Sequence, residues 1–211
     1  MDRGYFITLE GGEGTGKSTQ IEKLASHLER RGFEVVVTRE PGGTPIAEAI
    51  REVLLDPAHD PDGLVEIFLL EAARHDHVER VIRPALGRGA VVVCDRFADS
   101  SLVYQGLVRG VGWEEVARLN DLATGGLEPD RTLVFDMEPT SAVGRARSRN
   151  SEASVRESRF DDEPTPFHNA IRGGYRELVR RCEDRAVMID ASGDQDAVFD
   201  RVRCALPESL R

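Results

Sequence analysis

Gly11-Gly12-Glu13-Gly14-Thr15-Gly16-Lys17-Ser18 follows the apolar run Tyr5-Phe6-Ile7-Thr8-Leu9 and opens the helical pattern Thr19 to Arg31. Gly, four residues and then Gly-Lys-Ser is the spacing of a phosphate-binding loop. A strand before it and a helix after it give the motif its meaning. The residue types follow from the chemistry. Glycines let successive backbone N–H groups turn inward around a phosphate, where side chains would block the approach. The helix starting near Lys17 adds its positive dipole end. Lys17 can bridge β- and γ-phosphates, and the Ser18 hydroxyl can ligate Mg²⁺. Gly11, Gly12, Glu13, Gly14, Thr15, Gly16, Lys17, Ser18 and Thr19 are the expected nucleoside-triphosphate-binding stretch.

Outward from that loop the chain alternates. Short runs rich in Val, Ile or Phe predict strands at 5–9, 33–37, 90–94, 131–136 and 186–190. Helical patterns separate them at 17–31, 45–55, 62–86, 101–108, 113–124, 139–147, 165–183 and 195–205. Such alternation predicts an α/β fold, a five-stranded parallel sheet covered by helices on both faces. Its ligands are expected at the carboxyl ends of the strands. No internal repeat, long linker or boundary interrupts the pattern, so residues 1–211 read as a single domain.

Composition narrows the partners. The 211 residues carry a formal charge of −10, which argues against a nucleic-acid coat or an anionic membrane surface. Lys17 and Lys23 are the only lysines, whereas arginine is abundant. Cys94, Cys182 and Cys204 have no metal-like spacing and read as reduced thiols of a cytoplasmic protein. No run approaches a membrane span. His75, Asp76, His77 and Glu79 invite a metal reading, but residues 75 and 77 diverge on a helix, so a solvated helix face is expected instead.

Further motifs lie where ligands are expected. The second strand ends in Thr38-Arg39-Glu40-Pro41-Gly42-Gly43-Thr44, which aims Arg39 toward the crevice. The third ends in Asp95-Arg96-Phe97, followed by Asp99-Ser100-Ser101 and Tyr104-Gln105-Gly106. An acid closing a buried apolar strand suits Mg²⁺, which makes Asp95 the expected partner of Ser18. From Arg145 to Glu163 the chain is polar, dense in arginine and nearly without core residues. Beside a phosphate loop, that composition reads as a short lid over about 145–163.

Five blocks together resemble the thymidylate kinase family: Glu10 to Thr19, Thr38 to Thr44, Arg74 to Leu86, Asp95 to Gly106, and Leu119 to Leu127. Arg159-Phe160-Asp161, Phe167 and Tyr175 resemble the family's lid and the helix after it. The resemblance covers essentially the whole chain. It implies a three-layer P-loop kinase fold and the reaction ATP + dTMP → ADP + dTDP, with Mg²⁺, in a homodimer. It also implies that Arg39 and Arg96 hold the dTMP phosphate. Glu13 would accept from the sugar 3′-hydroxyl and support Arg96, and Arg74 would donate to thymine O4. Ser101 and Gln105 would be polar contacts on the base side, and Tyr104 would exclude a ribose 2′-hydroxyl. Phe68 and Leu70 are implied to line the base pocket.

Two departures stand out. Some members carry a catalytic arginine in the loop where this chain has Gly14, so here the lid must supply that charge. Arg147, Arg149, Arg156 and Arg159 are candidates; Arg149 and Arg159 are favoured beside Lys17 and Arg96 as catalytic residues, with Arg145 near the adenine. The family commonly has Phe, stacked on thymine, where this chain has Leu70. Two other readings stand beside this one: a kinase of another nucleoside monophosphate such as dUMP, and an ATP-binding module without turnover.

Overall fold

The computed structural model describes residues 3–138 and 163–211. The helix expected at 139–147, and with it Arg145, Arg147, Arg149, Arg156 and Arg159, lies outside the described residues. Five strands are present among the described residues: β1 (Tyr5–Gly11), β2 (Val35–Arg39), β3 (Val91–Asp95), β4 (Arg131–Asp136) and β5 (Ala186–Asp190). They form one parallel sheet in the order β2-β3-β1-β4-β5.

The helices are α1 (Lys17–Arg30), α2 (Pro45–Leu55), α3 (Gly63–His77), α4 (Arg83–Gly87), α5 (Ala98–Ser101), α6 (Trp113–Thr124), α7 (Thr165–Arg181) and α8 (Gln195–Ala205). A π-helical turn at Val78–Ile82 joins α3 to α4, and a second, Leu102–Val108, prolongs α5.

Strand periodicity sorts the core into two faces. Ile7, Leu9, Val91, Val93, Leu133 and Phe135 meet Ile21, Leu24 and Leu28 of α1 and Val198 and Val202 of α8. On the other face Phe6 and Val92 pack on Val78, Ile82 and Phe97, while Val134 packs among Ile67, Val103, Ile171 and Leu178. The order of strands then positions the site. The connection after β1 leads to β2, at one edge, whereas the connection after β3 crosses to β4 on the far side of β1. The chain diverges between the carboxyl ends of β1 and β3, and a crevice opens there.

Several boundaries differ from expectation, and three in the strands have a plain cause. β2 starts at Val35, not residue 33. Gly32, at φ 88, closes α1, and the Phe33 N–H caps the Leu28 carbonyl at 3.2 Å, so it serves the helix end rather than the sheet. β1 runs two residues further, because Glu10 and Gly11 still pair with Val134 and Phe135 of β4. The Ala90 N–H is held by the Ala85 carbonyl at 3.1 Å, which delays β3 to Val91.

Behind the sheet ends lies a buried polar clamp. Asp99 accepts from Arg185 Nη1 at 2.6 Å and Nη2 at 2.8 Å, and from the Thr132 hydroxyl at 2.9 Å. This ties α5 to β4 and to the turn before β5. Removing one partner of a buried pair strands the other charge. Asp99→Ala is expected to cost about 3 kcal/mol in urea denaturation; an unfolding curve superimposable on that of the unaltered protein would refute the clamp.

Candidate active site

Glu13, Gly14, Thr15, Gly16, Lys17 and Ser18 form one wall of a cavity of about 200 Å³. Arg39, Arg51, Leu70, Arg74, Asp95, Arg96, Ser101, Tyr104 and Gln105 line the rest. Two glycines of the loop are needed on geometric grounds. Gly11 has φ 130, and a Cβ there would lie 2.5 Å from the Phe135 carbonyl oxygen. Gly16 has φ 91 and precedes α1 without any side-chain cap, which leaves first-turn N–H groups directed at the cavity. Lys17 Nζ donates to the Gly11 and Gly12 carbonyls at 3.1 and 2.9 Å. Burial lowers its pKa to about 8, with Arg96 acting in the same direction against Asp95, Glu13 and Glu10.

Arg96 closes β3 at φ 68, the one non-glycine with positive φ among the described residues. Left-handed backbone costs such a residue about 1 kcal/mol, and a dense set of contacts holds it there. Nη2 donates to Glu13 Oε1 at 3.0 Å, and Nη1 donates to Ser100 Oγ at 3.2 Å and the Tyr175 hydroxyl at 3.0 Å. The guanidinium lies 5.2 Å over the Tyr104 ring, whose hydroxyl donates to Glu13 at 2.7 Å. Burial pushes the Glu13 carboxyl up, but Arg96, Lys17 and the Tyr104 hydroxyl outweigh it and hold the pKa below the usual value. Glu13 Oε2 is buried without a hydrogen-bond partner, with His168 Nδ1 at 3.9 Å. An acceptor is thereby left for a ligand hydroxyl. Asp95 Oδ1 is likewise buried and without a partner.

The opposite wall is built on Arg74. Its Nε donates to Glu40 Oε2 at 2.8 Å, Nη1 to Glu71 and, at 2.9 Å, to Asn120 Oδ1, and Nη2 to Ser101 Oγ at 3.0 Å. Glu40 is fixed in turn by His77 Nδ1 at 3.0 Å, and His77 Nε2 meets the Thr38 hydroxyl at 2.7 Å. Burial raises the Glu71 carboxyl to about 7 despite the Arg74 charge. Leu70 borders the cavity one turn before Arg74, and Gln105 Nε2 is anchored on Glu66 at 2.8 Å.

Most of the residues read from sequence therefore converge. Thr19 and Gly11 do not line the cavity, and Gly12 borders a smaller cavity beside Asp136 and Arg172. Arg39 borders the cavity, yet its Nη2 is bonded to both Glu48 oxygens, at 2.9 and 2.8 Å. Phe68 does not line the cavity. It is 55% exposed, because Glu66, Leu70 and Arg74 occupy the inward face of α3 at four-residue spacing and Phe68 falls between them. His77 is not on a solvated face either but fully buried against Glu40. Contributors missed include Glu10, Glu40, Arg51, Glu66, Ser100 and Asn120. An acid ending an apolar strand is a signal that applies to Glu10 as it did to Asp95, whereas Arg51 and Asn120 sit in ordinary amphipathic helices and give none.

A phosphate loop on β1, a basic second wall and a crevice between β1 and β3 define a P-loop phosphotransferase of the α/β class. The thymidylate kinase family model matches residues 9–202. A thymidylate kinase of Caulobacter vibrioides is 49% identical over 199 residues, covering 94% of this chain and 93% of that protein. One of Geobacillus thermodenitrificans is 50% identical over 197 residues, covering 93% and 86%. The crystal structure of thymidylate kinase from Ehrlichia chaffeensis superposes with a TM-score of 0.76 at 30% identity, covering 96% of this chain and 97% of the other. The chain belongs to the thymidylate kinase family.

The Lys17 amine sets a pH dependence. Below about pH 8 it carries a positive charge; above that, a proton must be taken up if it is to bind an anion. ATP affinity measured by calorimetry is expected to fall up to about tenfold between about pH 8 and pH 9. Affinity that is flat or rising across this range would contradict the role of Lys17.

Proposed function

We propose that the chain transfers the γ-phosphoryl group of ATP to the phosphate of dTMP, giving ADP and dTDP for dTTP synthesis. The observation that carries this reading is one cavity walled by the phosphate loop on one side and by Arg96 and Arg74 on the other. The loop amides and Lys17 hold the donor, and Arg96, with Arg39 and Arg51 beside it, receives the acceptor phosphate. Planar guanidinium groups suit that contact. The acceptor's second pKa is about 6, so its attacking oxygen is already ionised and no general base is required. What the chain contributes is alignment of two anions and positive charge around them.

In this reading Glu13 Oε2, buried without a hydrogen-bond partner, accepts from the sugar 3′-hydroxyl, and Tyr104, packed against Arg96, is the side chain that excludes a 2′-hydroxyl. Arg74 and Ser101 face the base. Ser18, with an exposed hydroxyl, and Asp95, with its unpartnered Oδ1, border the same cavity and fit a hard, oxygen-seeking cation. When bound there, Mg²⁺ neutralises charge on the transferring phosphates. Gly14 brings no charge, so Arg149 and Arg159 complete the positive ring, with Arg145 toward the adenine.

No helix among the described residues is long and apolar enough to cross a membrane. We infer a cytoplasmic homodimer assembled on α2 and α3, supported by the exposed apolar side chains Ile46, Val53, Leu64, Val65 and Phe68. Light scattering is expected to give twice the mass of the chain; a monomer at micromolar concentration would count against this.

A coupled assay with dTMP, dUMP, dCMP and AMP tests the acceptor. dTMP is expected to give the highest kcat/KM, and preference for another acceptor would overturn the substrate. Leu70, where an aromatic would stack on thymine, forgoes about 0.5–1.5 kcal/mol. Leu70→Phe is therefore expected to lower the dTMP KM by roughly two- to tenfold; an unchanged or higher KM would refute that reading.

A further inference from the structure

Glu10 ends the apolar run of β1 with a fully buried carboxylate that forms no ion pair among the described residues. Its Oε1 accepts the Phe97 N–H at 2.8 Å. Its Oε2 accepts the Ser100 hydroxyl at 2.6 Å and the Tyr175 hydroxyl at 2.9 Å. The same two hydroxyl oxygens receive Arg96 Nη1. A hydroxyl has a single hydrogen to donate. With that hydrogen spent on Glu10, each oxygen presents only lone pairs to the guanidinium. The two hydroxyls also lie 3.0 Å apart, so without the carboxylate either can turn its hydrogen on the other.

The Phe97 contact acts on the backbone. It anchors the residue immediately after Arg96, whose left-handed φ needs an external restraint. Burial pushes the Glu10 carboxyl up to about 7, with Asp99 adding to the rise and Arg96 opposing it. An isolated buried carboxylate is costly, and an apolar or amide side chain of similar size would serve packing as well. A carboxylate at the end of β1 has a reason in the polarity it imposes.

We propose that Glu10 is a positioning residue for the acceptor phosphate, acting through Ser100, Tyr175 and the Phe97 N–H to hold the Arg96 guanidinium in its aimed conformation. This rests on the assignment of Arg96 to the dTMP phosphate. Glu10→Gln separates polarity from shape. The amide keeps an oxygen for the Phe97 N–H but points an NH₂ donor at Ser100 and Tyr175, which reverses the direction of both hydroxyls.

The test is steady-state kinetics in each substrate for Glu10→Gln, Tyr175→Phe, Arg96→Ala and the Glu10→Gln/Arg96→Ala pair, with thermal melting of each. Glu10→Gln is expected to raise the dTMP KM about tenfold while the ATP KM stays within about twofold and the melting temperature does not fall. Combined with Arg96→Ala it should add little. A folded Glu10→Gln with an unaltered dTMP KM, beside an impaired Arg96→Ala, overturns the inference and leaves the Arg96 assignment standing. An Arg96→Ala enzyme with an unaltered dTMP KM removes the assignment and the inference together. If Glu10→Gln fails to fold, Tyr175→Phe decides: a rise of roughly threefold in dTMP KM supports the proposal, and none overturns it.

Discussion

A guanidinium placed where two strand ends diverge is the constraint on which this molecule turns. Arg96 must be charged, largely withdrawn from water and aimed into the crevice, and each requirement is costly alone. Glu13 from the loop after β1, Ser100 from α5, Tyr175 from α7 and the Tyr104 ring meet the three demands together. These groups come from three separate parts of the chain, since Ser100 and Tyr104 share the helical stretch 98–108. The fold brings them together because β1 and β3 are neighbours whose following connections leave in opposite directions. Without the sheet order there is no crevice, and without the ion pair the Arg96 guanidinium loses its anchor on Glu13.

Around that centre, buried charge is organised into chains rather than isolated pairs. Thr38, His77, Glu40 and Arg74 run from the end of β2 to the second wall, and Arg74 then distributes its donors over Glu71, Asn120 and Ser101. Asp99, Arg185 and Thr132 form a separate cluster behind the sheet ends. In such networks the hydrogen bonds of neighbouring members constrain one another, which fixes geometry more firmly than a single contact does. Among the buried oxygens without a hydrogen-bond partner, Glu13 Oε2 and Asp95 Oδ1 belong to residues that line the cavity. They sit where a sugar hydroxyl and a cation are expected.

Much of the fold was legible because its signals are local. The β-branched runs at 91–95 and 131–136 and the loop glycines specify strand and turn without reference to anything distant. The start of β2 was not, because the Phe33 N–H is captured by the end of α1, a competition invisible in an apolar run. In the site, the loop and the residues closing β2 and β3 were legible because carboxyl ends of parallel strands are where ligands bind. Phe68 was misplaced since an aromatic beside a pocket-lining residue looks the same in sequence whether it faces in or out. His77, Asn120 and Arg51 were hidden for the opposite reason: their roles depend on partners more than twenty residues away or on the shape of the cavity.

The most direct measurement is a crystal structure with dTMP and a non-hydrolysable ATP analogue bound together. The expected result places the dTMP phosphate oxygens about 3 Å from the Arg96 guanidinium, the analogue's phosphates on the amides of Gly14 to Ser18, and the sugar 3′-oxygen on Glu13. A dTMP phosphate bound elsewhere, with Arg96 making no contact to it, would contradict the account.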